Sequence, residues 1–214
     1  MYKYIFWDWN GTLLDDAAAT CEAVNDMLDA RGIPSISLTE YRDLIEMPII
    51  EFYKKVMDIS NETMEKLSAE FNPLCEKHMR NYPLFEDTKK ILALFHQKGY
   101  KQYIFSSSQN KYIEPVLKRY GLDIYFDEIL GAPDCYVGSK IERTRDYLLN
   151  NGIYKDECVF IGDMVHDSET ASCIGSDCIL ISAGHQCEKL LVATGRTVIS
   201  DLSELPEIIN KDSL

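Results

Sequence analysis

The side chains whose types and spacing could do chemistry together are Asp8, Ser106, Lys140, Asp163 and Asp167. Asp8 ends the apolar run Tyr4-Ile5-Phe6-Trp7, and the chain then turns through Asn10-Gly11-Thr12. Ser106 follows the run Tyr103-Ile104-Phe105, with Ser107 and Ser108 behind it. Lys140 comes directly after Tyr136-Val137-Gly138-Ser139. Asp163 and Asp167 lie in Gly162-Asp163-Met164-Val165-His166-Asp167, behind Cys158-Val159-Phe160-Ile161. In a parallel sheet all strand C-termini share one edge, so these groups are expected to converge there. Carboxylates beside a hydroxyl and an ammonium suit a hard cation together with an anionic group. Taken singly, each has a plainer reading. The aspartates could cap helices, the serines could make a turn and the lysine could be solvated.

The elements that must position these groups alternate from about residue 84 onward. Apolar spacing predicts helices over Asp87–Gln97, Lys111–Tyr120, Lys140–Asn151, Ser168–Ile174 and Gln186–Ala193, several stopped by glycine. Between them, short apolar runs predict strands at 103–105, 126–130, 158–161, 178–181 and 197–199, with a terminal helix over 202–209. Strands separated by helices of about ten residues imply a doubly wound parallel α/β sheet, Rossmann-like, with helices on both faces.

Residues 15–82 read differently, as helix after helix with no clear strand. A helix over Ala17–Arg31 closes at Gly32, Thr39 caps a helix from Glu40, and Pro48 starts the next. Ser60 with Thr63 opens a longer helix that is interrupted near Pro73. The expected organisation is an α/β core at 1–14 and 83–214 with an inserted α-helical cap subdomain at 15–82. Phe52, Tyr53 and Phe71 read as the cap's own core, and the tail after Ile209 as frayed.

The bulk numbers exclude some functions. A net charge of −13, from 35 acidic against 22 basic residues, argues against nucleic acid and anionic membrane as partners. No apolar run approaches the ~20 residues of a membrane span. The first strand begins almost at Met1, so a cytoplasmic protein without a signal peptide is expected. Seven cysteines without a C-x-x-C pair speak against a disulfide framework or structural zinc; they read as small hydrophobes in a reducing compartment. A monomer is the default expectation, with a dimer as the alternative.

The motifs Asp-x-x-Gly-Thr at 8–12, the serine after the second strand, Lys140 and Gly-Asp-x-x-x-Asp at 162–167, in this order, resemble the haloacid dehalogenase-like hydrolase superfamily. The likeness covers nearly the whole chain, helical block included, and is greatest to the phosphoglycolate-phosphatase-like branch. It implies a phosphatase-type hydrolase that acts on a small phosphorylated metabolite through an aspartyl phosphate on Asp8. It implies Mg²⁺ held by Asp8, Asp163 and the main-chain oxygen of Asn10, with Asp167 acting through water. Ser106 and the Ser107 amide would bind phosphate, Lys140 would offset the charge of phosphate and Asp8, and Gly11 and Thr12 would supply the turn and further donors. Asp8 is expected to be ionised at neutral pH without an assisting base.

Asn10 departs from that pattern. The usual residue two after the nucleophile is an aspartate that protonates the leaving oxygen, and an amide cannot move that proton. The expectation is slow turnover of ordinary esters, with three outcomes open. The substrates could be acyl or aryl phosphates, another acid (a cap carboxylate or His185) could stand in, or the chain could be a weakly catalytic phosphate-ligand binding or regulatory module. Phosphonate hydrolysis through a cap lysine (Lys54 or Lys55) and phosphomutase activity are same-fold alternatives. Dehalogenation, which needs no metal, sits poorly with Asp163 and Asp167. His166 and His185 stand between a site-rim and a structural role. Asn10-Gly11 is also the dipeptide most inclined to deamidate, so aged protein is expected to gain activity.

Overall fold

A computed structural model describes residues 1–79, 83–133 and 140–211. The loop 136–139, Cys135, the far cap boundary at 82 and the last residues of the tail lie outside the described residues.

The alternation of side chains along the first strand decides the layers. In β1 (Tyr4–Trp7), Ile5 and Trp7 are buried on one face while Phe6 is buried on the other. Both faces must therefore be covered, and they are. The other strands are β2 (Lys101–Gln109), β3 (Glu128–Ala132), β4 (Cys158–Gly162), β5 (Asp177–Ile181) and β6 (Thr197–Ile199). They form one parallel sheet in the order β3-β2-β1-β4-β5-β6. On one face, Ile5, Trp7, Ile104, Val159 and Ile179 pack with residues of α5 (Thr88–Gln97), α6 (Asn110–Tyr120) and α10 (Leu205–Lys211). On the other, Phe6 stacks between Tyr103 and Phe160, each 4.8 Å away. That layer meets α7 (Lys140–Asn150), α8 (Val165–Ile174) and α9 (Glu188–Val192) through Leu148, Ala171 and Leu191. This is the doubly wound α/β fold expected. Successive strands run outward from β1 in one direction and from β4 in the other, so the crevice where the order reverses lies at their shared C-terminal edge.

Between β1 and α5 lie α1 (Ala17–Asp29), α2 (Leu38–Leu44), α3 (Ile49–Val56) and α4 (Met64–His78). They bury their own cluster, which includes Val24, Met27, Leu28, Tyr41, Phe52 and Leu67. Phe52 and Tyr53 are buried in it and Phe71 packs against it, so these aromatics are core of the helical block. The chain leaves and re-enters the sheet layer side by side: Asp15 N–H donates to Pro83 O at 2.8 Å, and Phe85 N–H to Leu13 O at 3.2 Å.

Several local expectations are corrected. Ser37, not Thr39, caps α2: Ser37 Oγ accepts from Glu40 N–H, and Glu40 Oε2 accepts from Ser37 N–H. The reciprocal bonds of this capping box outweigh a lone threonine. The helix α4 runs through Pro73 without a break, because proline removes a single backbone donor and Leu67, Phe71 and Leu74 hold the helix on its cluster. β2 extends four residues beyond Phe105 to Gln109, α8 starts three residues early at Val165, and a 3₁₀ turn at Leu202–Glu204 precedes α10. Helix α9 starts two residues late, because the Gln186 side chain ties its loop down: Oε1 accepts from Val165 N–H at 2.6 Å, and Nε2 donates to Ile45 O at 2.7 Å.

Candidate functional site

Asp8 stands one residue past β1, its N–H continuing the ladder onto Ile161 O at 2.8 Å. The turn that follows needs Gly11. Its φ is +70°, and a Cβ there would run into the Asp163 carboxylate and the His185 ring. With Gly11 in place, Thr12 Oγ donates to Asp163 Oδ1 at 2.9 Å, and His185 N–H donates to Asp163 Oδ2 at 2.6 Å.

β4 delivers Asp163, and the first turn of α8 delivers Asp167. Asp167 does two jobs. Its Oδ2 accepts from the main-chain N–H of Asp163 at 3.1 Å and Met164 at 2.9 Å, which caps α8. Its Oδ1 accepts from Lys140 Nζ at 2.6 Å. Lys140 is 2% exposed, lies 3.0 Å from Asp8 Oδ1, and has its ammonium 4.0 Å above the centre of the Phe105 ring. Oxygen atoms of Asp8, Asp163 and Asp167 all lie within 4.8 Å of one another.

Ser106 is buried within the C-terminal half of β2, where its Oγ accepts from Ser108 N–H at 3.0 Å. Its main-chain oxygen accepts from the Arg143 guanidinium at 2.8 Å. Ser107 is half-buried on the same strand. The fold thus gathers Asp8, Asn10, Gly11, Thr12, Ser106, Asp163, Asp167 and Lys140 at the C-terminal ends of β1, β2 and β4. His166, beside Asp167 on α8, lies 3.5 Å from Glu169.

Charge in this pocket is under-compensated. Burial pushes the Asp8 carboxyl up to about 8; Lys140 opposes that shift, while Asp167 and Asp163 add to it. Burial likewise raises Asp163 to about 6, against the pull of His185. Burial works against the Lys140 ammonium, but Asp167 and Asp8 more than offset it and its pKa rises. Burial thus disfavours the bare Asp8 carboxylate, and Lys140 favours it. A hard divalent cation among these oxygen donors would remove the imbalance, so the donor set fits one.

Sequence reasoning missed Asp16 as a site residue. It is buried at 1% exposure; Oδ2 accepts from Asn10 Nδ2 at 2.6 Å, and Oδ1 accepts from Gly11 N–H at 2.8 Å. His185 Nε2 lies 3.1 Å from Oδ1, and His185 Nδ1 lies 2.8 Å from the Tyr41 hydroxyl of α2. Burial would lower the His185 pKa, but Asp16 and Asp163 raise it to about 9. Ser108, also missed, donates from Oγ to Asn10 Oδ1 at 2.6 Å. The acidic pair Asp15-Asp16 was the only local signal, and nothing in it says which carboxylate turns inward. The lysines offered for phosphonate chemistry are held in ion pairs. Lys54 and Lys55 are exposed and pair with Glu51 and Glu46, each at 2.7 Å.

Comparison with known proteins agrees with this geometry. The family model described as haloacid dehalogenase-like hydrolase matches residues 5–181. The chain belongs to that family. Over 97% of its length it is 25% identical to a phosphoglycolate phosphatase of Vibrio parahaemolyticus, covering 96% of that protein. It is 23% identical, with the same coverage, to a 5′-nucleotidase of Pseudomonas aeruginosa. A haloacid dehalogenase-like protein of unknown function from Agrobacterium tumefaciens has the same fold, with a TM-score of 0.80 at 21% identity over 100% of both chains. The expectation of a phosphatase-type hydrolase is met at this level: the family is one of hydrolases, and these two relatives, matched over nearly their whole length, are a phosphoglycolate phosphatase and a 5′-nucleotidase. No described helix is long and apolar enough to cross a membrane.

Proposed function

We propose that this chain is a Mg²⁺-dependent phosphomonoester hydrolase acting on a small phosphorylated metabolite, with Asp8 as the phosphoryl acceptor. The observation that carries the reading is the buried cluster of Asp8, Asp163 and Asp167 with Lys140 held between Asp8 and Asp167. Asp8 and Asp163, with the Asn10 main-chain oxygen, would hold the cation, which supplies charge neutralisation for the phosphate and for the carboxylate that attacks it. Asp167 fixes Lys140, which balances the charge of phosphate as Asp8 approaches phosphorus. Ser106 Oγ and the Ser107 N–H take phosphate oxygens, and Gly11 and Thr12 shape the turn beneath them. The helices at 15–82 select the leaving group as a cap, and the active form is a cytoplasmic monomer.

The step that remains unsupplied is protonation of the leaving oxygen, because Asn10 holds an amide at that place. General acid catalysis is worth about 10²–10⁴-fold, so alkyl phosphates should turn over slowly. The second reading, a weakly catalytic phosphate-binding or regulatory module, draws on the same amide. A panel of phosphorylated metabolites with Mg²⁺, with and without chelator, decides between them. Chelator-sensitive phosphate release from any of them supports hydrolysis. Binding of phosphate or beryllofluoride with no release across the panel supports the module.

A further inference from the structure

Asp16 explains why the amide at position 10 is tolerated, and what the site can accept as a result. A carboxylate only accepts hydrogen bonds, so the group facing Asp16 Oδ2 at 2.6 Å must be the amide nitrogen of Asn10. That leaves Asn10 Oδ1 to accept from Ser108 Oγ at 2.6 Å, and the side chain is fixed from both ends. Asp16 is itself fully used, with Gly11 N–H and His185 Nε2 on its other oxygen. His185 has its second nitrogen against Tyr41 OH, so neither group is left free to turn toward a substrate.

We propose that Asp16 is the specificity-determining partner of Asn10: it holds position 10 as a hydrogen-bond donor and so confines the enzyme to phosphates whose leaving group departs as a stable anion, such as acyl and aryl phosphates. This rests on the phosphatase reading of the site. In the first step the bond from Asp8 Oδ to phosphorus forms as the bond from phosphorus to the leaving oxygen breaks. The electron pair stays on that oxygen, which leaves as an anion. In the second step water attacks phosphorus, the bond to Asp8 breaks with its electrons returning to the carboxylate, and the surplus proton goes to solvent. Position 10 gives no proton in either step.

An aspartate at position 10 alone would face Asp16 across 2.6 Å, and the two carboxyls would share one proton held in the bond between them, so Asn10→Asp by itself does not restore an acid free to serve the leaving group. The interchanged pair should. With Asp16→Asn as well, the amide Nδ2 at position 16 donates to the new carboxylate, while its Oδ1 still accepts from Gly11 N–H and His185.

The test uses para-nitrophenyl phosphate and phosphoglycolate as probes on the full chain with Mg²⁺. The expected result is a gain in kcat/KM on phosphoglycolate of at least about 30-fold for Asn10→Asp/Asp16→Asn, within the range of general acid catalysis. Asn10→Asp alone should gain less than about threefold, and the double variant's gain on para-nitrophenyl phosphate should be at least about tenfold smaller than on phosphoglycolate. The proposal is overturned if the single variant matches the double, or if a folded double variant gains nothing. Should the unaltered protein release phosphate from neither probe nor any other member of the metabolite panel, the phosphatase reading fails and the pairing is still read from melting. Each single variant should lower Tm by about 4 °C or more, and the double should return to within about 2 °C of the original. A double variant whose loss is the sum of the singles sinks the pairing.

Discussion

Asn10 Nδ2 donates to Asp16 Oδ2 at 2.6 Å, and this bond holds the side chain at position 10 as a hydrogen-bond donor two residues after Asp8. The carboxylate of this pair sits at position 16, where its hydrogen bonds hold the turn together, and not at position 10, where it could serve the leaving group.

Asp8→Asn removes the proposed phosphoryl acceptor and also a buried carboxyl that burial pushes up to about 8. Turnover should fall at least about 10⁴-fold, the scale seen when a nucleophile is deleted. The melting temperature of the metal-free protein at pH 8 should not fall, and a rise of a few degrees is expected. Steady-state kinetics beside differential scanning fluorimetry checks both; retained turnover refutes the assignment.

Lys140→Met leaves Asp8 and Asp167 without the ammonium that now lies 3.0 Å and 2.6 Å away. Breaking a buried ion pair from one side costs about 3–5 kcal/mol, so chemical denaturation at pH 8 without metal should report a loss of that order. Added Mg²⁺ should recover part of it. A loss below about 1 kcal/mol would mean the cluster is solvated in solution.

Metal binding and pH should be coupled. Asp8 and Asp163 have folded pKa values of about 8 and about 6, both above their ordinary value, so the folded state holds these protons more tightly than the unfolded chain. Their contribution to stability is present below the ordinary carboxylate range and is lost as pH rises through about 6 and about 8. A divalent cation binds the ionised forms and reverses that loss. The Tm difference between Mg²⁺-saturated and chelated protein should therefore widen from about pH 5.5 to about pH 8.5. A difference that stays flat or shrinks contradicts the site.

Deamidation at Asn10-Gly11 should be slow in the folded protein, contrary to what the dipeptide alone suggests. The attacking group would be Gly11 N–H, which donates to Asp16 Oδ1 at 2.8 Å and to Leu14 O at 2.9 Å, while Asn10 is clamped by Asp16 and Ser108. Intact-mass analysis over weeks should show conversion in denaturant and little in native buffer. Equal rates in the two would show that the clamp opens freely.

Much of this was legible in the chain because periodicity survives folding. Ile5, Phe6 and Trp7 alternate between two faces, and the glycines after helical runs mark their ends, so the sheet and its two layers follow from local pattern. Asp8, Ser106, Lys140, Asp163 and Asp167 could be grouped because parallel strands share one C-terminal edge. Asp16 could not, since Asp15 and Asp16 are indistinguishable until the outgoing segment pairs with 83–85 and turns one of them inward. Tyr41 and Gln186 reach the site neighbourhood only through contacts far apart in sequence, to His185 and to Ile45. The same is true of the Asp8 carboxyl, whose raised pKa comes from its surroundings and not from its own residue type.

The most direct test of the central claim is rapid quenching of the Mg²⁺-loaded protein during turnover of acetyl phosphate or para-nitrophenyl phosphate, followed by peptide mass analysis. One phosphoryl group is expected on the peptide that carries Asp8, absent when Asp8 is replaced by asparagine. An unmodified Asp8 peptide in an enzyme that is visibly turning over would contradict it.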